Sequence, residues 1–156
     1  MSRNWPFTIY SVFVRNHSAD GGFRGVTADL DRIAALDVDA VWLMPIHPVG
    51  QASRKGSLGS PYAISDYRAV NPEFGTDTDF DALLAAAHQR GLRVMIDVVF
   101  NHTSPDSVLV SQHPEWFYRG PDGKPVNRVP DWRDVVALDH SQAGLADYLV
   151  ESLARR

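Results

Sequence analysis

Arg93-Val94-Met95-Ile96-Asp97-Val98-Val99-Phe100-Asn101-His102-Thr103-Ser104 carries an apolar run into a cluster of polar groups. Val94 to Phe100 is rich in β-branched and aromatic residues, with hydrophobes at consecutive positions. That composition predicts a parallel strand covered on both faces. Asp97 interrupts the run. An acid in a buried strand is costly unless it is paired or hydrogen-bonded, so Asp97 is expected to have a cationic or donor partner from elsewhere in the sequence. Asn101, His102, Thr103 and Ser104 follow at the strand's C-terminal end. Taken alone, one Asp and one His read equally well as a loop tether and a turn.

Upstream, Ile9 to Val14 reads as a first strand, with Gly21, Gly22 and Gly25 marking the loop after it. Thr27 is read as the N-cap of a helix with Leu30, Ile33 and Ala34 on one face, ending near Asp37. Val41 to Met44 makes a second strand closed by Pro45, and His47 to Ser60, polar and without a period, is a long loop. A helix opens at Thr76 or Asp77, carries Phe80, Leu83, Leu84 and Ala87 at helical spacing, and stops at Gly91. After the strand at Val94 to Phe100 comes an irregular stretch, Thr103 to His140, with five prolines and the aromatics Trp116, Phe117, Tyr118 and Trp132. A last helix from Ala143 to Arg156 has Leu145, Tyr148, Leu149, Ser152 and Leu153 on one face.

The chain has 156 residues, 44% of them hydrophobic, enough for one ordinary core, and no cysteine, so the fold rests on packing. A net charge of −4 and a pI near 5.8 leave no basic stripe for nucleic acid. A neutral or polar substrate fits better. Met1 to Pro6 leads straight into the first strand with no apolar stretch of signal-peptide length, and no membrane span is visible, which predicts a cytoplasmic product.

Three motifs in order and spacing carry a resemblance. Asp97-Val98-Val99-Phe100-Asn101-His102 resembles the first signature region of the alpha-amylase family of glycoside hydrolases. Ala40-Val41-Trp42-Leu43-Met44-Pro45 is similar to that family's second-strand motif. Ser60-Pro61-Tyr62-Ala63-Ile64-Ser65-Asp66-Tyr67 through Asn71-Pro72-Glu73-Phe74-Gly75-Thr76 resembles the segment leading into its second barrel helix. The resemblance runs from about Ile9 to the end of the chain. The alternation of strands and helices with enlarged loops predicts an α/β fold. Periodicity does not separate a barrel from a doubly wound sheet, and it is the resemblance that implies an incomplete (β/α)8 TIM barrel, its first three β/α units, with an irregular insertion after the third strand. On that reading 1–102 holds the barrel units, 103–141 an insertion-domain-like segment and 142–156 the third barrel helix.

Retaining glycoside hydrolysis needs two carboxyl groups about 5–5.5 Å apart. The family supplies them from its fourth and fifth strands, and no stretch of this sequence resembles those motifs, so the chain alone is expected to be inactive. What it resembles is the substrate-holding part of the site. Tyr62 aligns with the aromatic that stacks on the sugar beside the scissile bond, although a tyrosine by itself is more often a core residue. His102 aligns with the residue that hydrogen-bonds that sugar and supports its charge-deficient transition state. Asp97 aligns with an acid that orients an arginine absent from this chain. Asn101 takes the place of a calcium ligand, and an amide oxygen suits a hard cation. Ala137 stands where the family's ligating Asp is expected, which tells against calcium.

Gly59, three residues before Tyr62, replaces the Asp with which exo-acting relatives clamp the non-reducing end, and this tilts the parent activity toward an amylase. Trp116, Phe117, Tyr118 and Trp132 are expected mainly to pack the insertion, with sugar stacking as the alternative role. His17, His47, His88, His113 and His140 show no ligand spacing and read as surface or capping residues. The expected partners are an alpha-glucan or maltooligosaccharide, and a complementary C-terminal half or a second copy, with neither nucleic acid nor membrane. The competing reading is a non-catalytic carbohydrate- or partner-binding module derived from the same fold.

Overall fold

The computed structural model describes residues 6–154, so Met1 to Trp5, Arg155 and Arg156, part of the leader and last-helix readings above, lie outside the described residues. The chain forms two compact units, residues up to 46 with 71–97, and 47–70 with the remainder from 98. This division differs from 1–102, 103–141 and 142–156. The loop 47–70 groups with the later segment because Ile64 and Tyr67 are buried in one cluster with Leu109, Trp116, Phe117, Leu145 and Leu149.

The first unit is a three-stranded parallel sheet, β1 (Ile9–Val12), β2 (Ala40–Leu43) and β3 (Arg93–Ile96), in the order β1-β2-β3. Three helices accompany it: α1 (Val14–His17), α2 (Phe23–Ala34) and α3 (Asp77–Gln89). Val12, Val41 and Leu43 are buried on the strands, as are Phe23, Val26, Leu30 and Ile33 on α2 and Phe80, Leu83 and Ala87 on α3. Such a stripe at helical spacing supplies most of a helix's stability. Phe23 ties the layer together, its ring 5.3 Å from that of Phe80 and 6.0 Å from that of Phe74. The other sheet face carries Ile9, Ser11, Trp42, Arg93 and Met95, all exposed.

Several boundaries differ from the sequence reading. The third strand stops at Ile96, so Asp97 to Phe100 lie beyond it, and the strand is half-buried rather than covered on both faces. Its ladder runs one bond further, the Asp97 N–H donating to the Leu43 carbonyl at 2.8 Å. The next rung in this register needs an N–H at position 45, and Pro45 has none. Val14 opens α1 instead of closing β1, and its hydrophobicity serves complete burial rather than strand pairing. Helix α2 begins at Phe23 with Gly22 as N-cap, because Phe23 and Val26 extend the apolar stripe upstream. The Thr27 hydroxyl donates to the Phe23 carbonyl inside that helix at 2.9 Å, so it caps nothing. Helix α3 opens as read: Thr76 and Asp79 form a reciprocal capping box.

The second unit is irregular. It holds an antiparallel pair, β4 (His102–Thr103) and β5 (Val136–Ala137), with α4 (Val108–Gln112), a 3₁₀ turn at Pro114–Trp116, and α5 (Leu145–Ala154). Val98 and Phe100, read as strand, pack against its core cluster. No helix among the described residues is long and apolar enough to cross a membrane.

Candidate sugar-binding site

The site of the second unit is organised by Tyr67. Its ring is buried, 1% exposed, and its hydroxyl lies 2.7 Å from the Val99 carbonyl and 3.0 Å from that of His102, to which it donates. Burial pushes the phenol's pKa well above its ordinary value, so it stays a donor. Segment 99–102 has no strand partner at Val99 to supply these bonds, and Tyr67 replaces the missing ladder. His47 and Phe100 flank the ring, with centroids 6.1 Å and 5.8 Å away. His47 is itself buried, its Nδ1 3.0 Å from the Ala69 carbonyl, and is neither a surface nor a capping residue.

Asp106 holds the loop 47–70 from the other side, accepting the N–H groups of Gln51 at 2.7 Å and Ala52 at 3.1 Å. A side chain at Gly50 would have its Cβ 2.2 Å from the Cβ of Ser104, so this close approach requires glycine. At Gly59 φ is +70°, and a Cβ would fall 2.9 Å from both Arg54 and Val49, so an acid at this position has neither the backbone conformation nor the space.

These anchors frame a cavity of about 530 Å³ lined by Lys55, Ser60, Tyr62, Val99, Asn101, His102, Trp132, Asp134 and Val135. The volume suits a small ligand of a few rings. His102 is 8% exposed, and Tyr62 is half-buried. Trp132 is 41% exposed, its ring edge-on to His102 with centroids 5.4 Å apart. The Asn127 amide donates to the Trp132 carbonyl at 2.7 Å and the Trp132 N–H donates to Val129 at 2.9 Å, so a tied turn presents the indole. Trp116 and Phe117 are buried core residues, and of these three Trp132 alone offers its ring to the cavity.

Burial pushes the His102 imidazole below its ordinary value, against a hydrogen bond to the Tyr62 backbone and the charge of Asp134. The neutral ring can both accept and donate. Asn101 Nδ2 lies 3.2 Å from His102 Nδ1, where an amide donates to the unprotonated nitrogen.

Of the residues singled out in the sequence, Tyr62, Asn101 and His102 line this cavity together. Asp97 is not among them; it follows β3 in the first unit and is half-buried. Ala137, where a second ligand would be needed, presents a buried methyl paired with His102 across β4 and β5, and no group of three or more His, Asp or Glu side chains suited to a metal occurs among the described residues.

Three contributors went unread in the sequence. Tyr67 lies inside a motif quoted for Tyr62, and a tyrosine at an otherwise apolar position was its only signal. Asp134, buried at 4%, had the weaker signal of an acid directly before the apolar run Val135 to Leu138, and Lys55, in a polar loop, had none. Lys55 Nζ lies 2.9 Å from Asp134 Oδ1.

The chain belongs to the alpha-amylase family: the family described as "Alpha amylase, catalytic domain" matches residues 9–134, which agrees with the motif resemblance. Among curated relatives it is 41% identical over 118 residues to the alpha-1,4-glucan:maltose-1-phosphate maltosyltransferase of Arcanobacterium haemolyticum, covering 66% of this chain and 17% of that protein. It is 42% identical over 103 residues to the alpha-glucosidase of Pediococcus pentosaceus, covering 63% and 17%. Among solved structures, an alpha-amylase from Lactobacillus plantarum superposes with a TM-score of 0.92 at 57% identity, over 94% of this chain and 35% of that one. The chain thus spans about a sixth of these curated relatives and about a third of the amylase.

Proposed function

We propose that this chain is the N-terminal part of an alpha-amylase-family glycoside hydrolase acting on alpha-glucans with retention, and that it carries the substrate-holding portion of the site. The observation that carries this reading is the meeting of Tyr62, His102 and Trp132 in one cavity, two aromatic faces and a neutral imidazole around a sugar-sized space. Aromatic faces match the C–H faces of a pyranose, while the imidazole addresses its hydroxyls. His102 holds the sugar whose anomeric carbon reacts, and its hydrogen bond strengthens as positive charge develops there. Asp97 acts through an arginine outside the described residues.

The fold reading is the first three units of a (β/α)8 barrel. It is supported by the parallel β1-β2-β3 order and by the exposed face of Ile9, Trp42 and Met95, where a closed barrel would pack its interior. The outer edges of β1 and β3 have no partner strand among the described residues. On this reading the 156 residues expressed alone self-associate or capture a complementary half.

Asp134 is the one carboxylate among the described residues lining the cavity, and it is paired with Lys55, so no free carboxylate pair is present there. That observation favours a second reading, a non-catalytic sugar-binding module. The two part on one experiment: His102→Ala in the full-length protein, with maltooligosaccharide turnover followed by NMR of the product anomer. The glucan-active reading expects an α-anomeric product and a kcat lowered by roughly 10²–10³, with KM little changed. Saturable glucan binding without any turnover in the unaltered protein would replace it with the second reading.

A further inference from the structure

We infer that the Lys55–Asp134 pair is a specificity determinant that makes this cavity select uncharged glucosyl chains over glycosyl phosphates. The inference rests on the sugar-binding reading above, and it bears on a choice the relatives leave open, since seven of the similar curated proteins are named for maltose 1-phosphate, one for alpha-glucosidase activity, and similar solved structures for alpha-amylase activity.

Lys55 is the cation on the wall of the main cavity. Its ammonium donates to Asp134 Oδ1 at 2.9 Å and to the Asp131 carbonyl at 3.3 Å, which engages two of its three N–H donors. The Asp134 side chain is 6% exposed. A phosphate monoester carries about −1.5 to −2 charge near neutrality. To recruit Lys55 it would have to strip a buried carboxylate of its partner while itself approaching that carboxylate. The neighbouring cation, Arg128, lies on the wall of an adjoining cavity that shares His102 and Trp132, its guanidinium 4.6 Å from the centre of the Tyr118 ring, and does not line the cavity that holds Lys55. A neutral diol meets none of these costs. The third ammonium donor and the carboxylate's free lone pairs form a donor beside an acceptor, which matches two vicinal sugar hydroxyls, while Trp132 covers the ring face.

The test is binding, read by titration calorimetry on the full-length protein with maltotetraose and with maltose 1-phosphate. Maltotetraose is expected to bind at least 100-fold more tightly, and Asp134→Asn, which frees Lys55 and removes the repelling charge, is expected to narrow that ratio at least tenfold. Lys55→Met provides the second arm, with its folding checked by circular dichroism because Asp134 loses its partner. It is expected to weaken maltotetraose about tenfold, because the wall loses its donor. Equal or tighter binding of maltose 1-phosphate overturns the inference, and so does unchanged maltotetraose affinity in Lys55→Met. The binding ratio stands apart from turnover: a protein that shows the preference but hydrolyses nothing supports the inference and overturns the hydrolase reading. A protein that binds neither ligand overturns both.

Discussion

The two units of the chain are built on different physics. The first is held by periodic burial: α2 and α3 each present an apolar stripe, and its sheet is a regular parallel ladder. The second packs one amphipathic helix, α5, and a buried apolar cluster under two-residue strands, a one-turn helix and loops, and the placement of those loops depends on polar groups meeting specific partners: Tyr67 on two carbonyls, Asp106 on two N–H groups, Lys55 on Asp134. A periodic unit can lose one contact and keep its geometry. A loop held by single hydrogen bonds loses geometry with each one. The chemistry-bearing side chains that gather around a cavity, Tyr62, His102 and Trp132, all lie in the second unit.

Substitution of a buried residue in each unit sharpens this contrast. Leu30→Ala in the full-length protein empties a fully buried site in the first unit and is expected to cost about 2–5 kcal/mol, read as a lower denaturation midpoint, and, on the proposed glucan-active reading, to leave kcat/KM of the surviving folded protein near that of the unaltered one. A large loss of kcat/KM at full folding would show that the periodic unit does more than support. Tyr67→Phe is expected to cost about 1–3 kcal/mol through the two carbonyls left without their donor, and to reduce activity as well, because His102 is carried on one of those carbonyls. Stability loss with unchanged activity would break the comparison.

The pH response should fall on the second unit. Burial holds His102 below the ordinary histidine range, so it takes up a proton at a lower pH than an exposed imidazole does. A cation there opposes the charge developing at the anomeric carbon, and a group with a depressed pKa contributes stability that is lost as the pH falls. If the proposed activity holds, the acid limb of kcat/KM in the full-length protein is therefore expected below pH 6.5, and His102→Asn should remove that limb. A limb centred at or above 6.5 would contradict the burial of this ring. The smallest effect belongs to Thr76→Ala, which removes one half of the α3 capping box and should cost about 1 kcal/mol with no change in activity.

Legibility followed the same division. The stripes of α2 and α3 and the second strand were readable, since burial of a regular element imposes a period on the sequence. The errors at Val14 and Val98 to Phe100 share a cause: an apolar run reports burial and does not say what covers it. Strand pairing stopped where Pro45 withheld an N–H, a signal carried by the neighbouring strand rather than by the run itself. In the site, Tyr62, Asn101 and His102 could be named from motifs, but their shared cavity depends on the Tyr67 hydroxyl, which no local pattern announces. Lys55 and Asp134 are 79 positions apart.

By itself the sequence determined the α/β class, the family and the motif positions of Tyr62, Asn101 and His102, because hydrophobic periodicity and short motifs are local properties of the chain. Only the tertiary structure decided that the loop 47–70 groups with the segment after 98, that Trp132 rather than Trp116 faces the cavity, and that Lys55 is neutralised by Asp134. Those facts depend on which distant groups become neighbours, and a hydrogen bond or ion pair leaves no period in the sequence to mark where its partner lies.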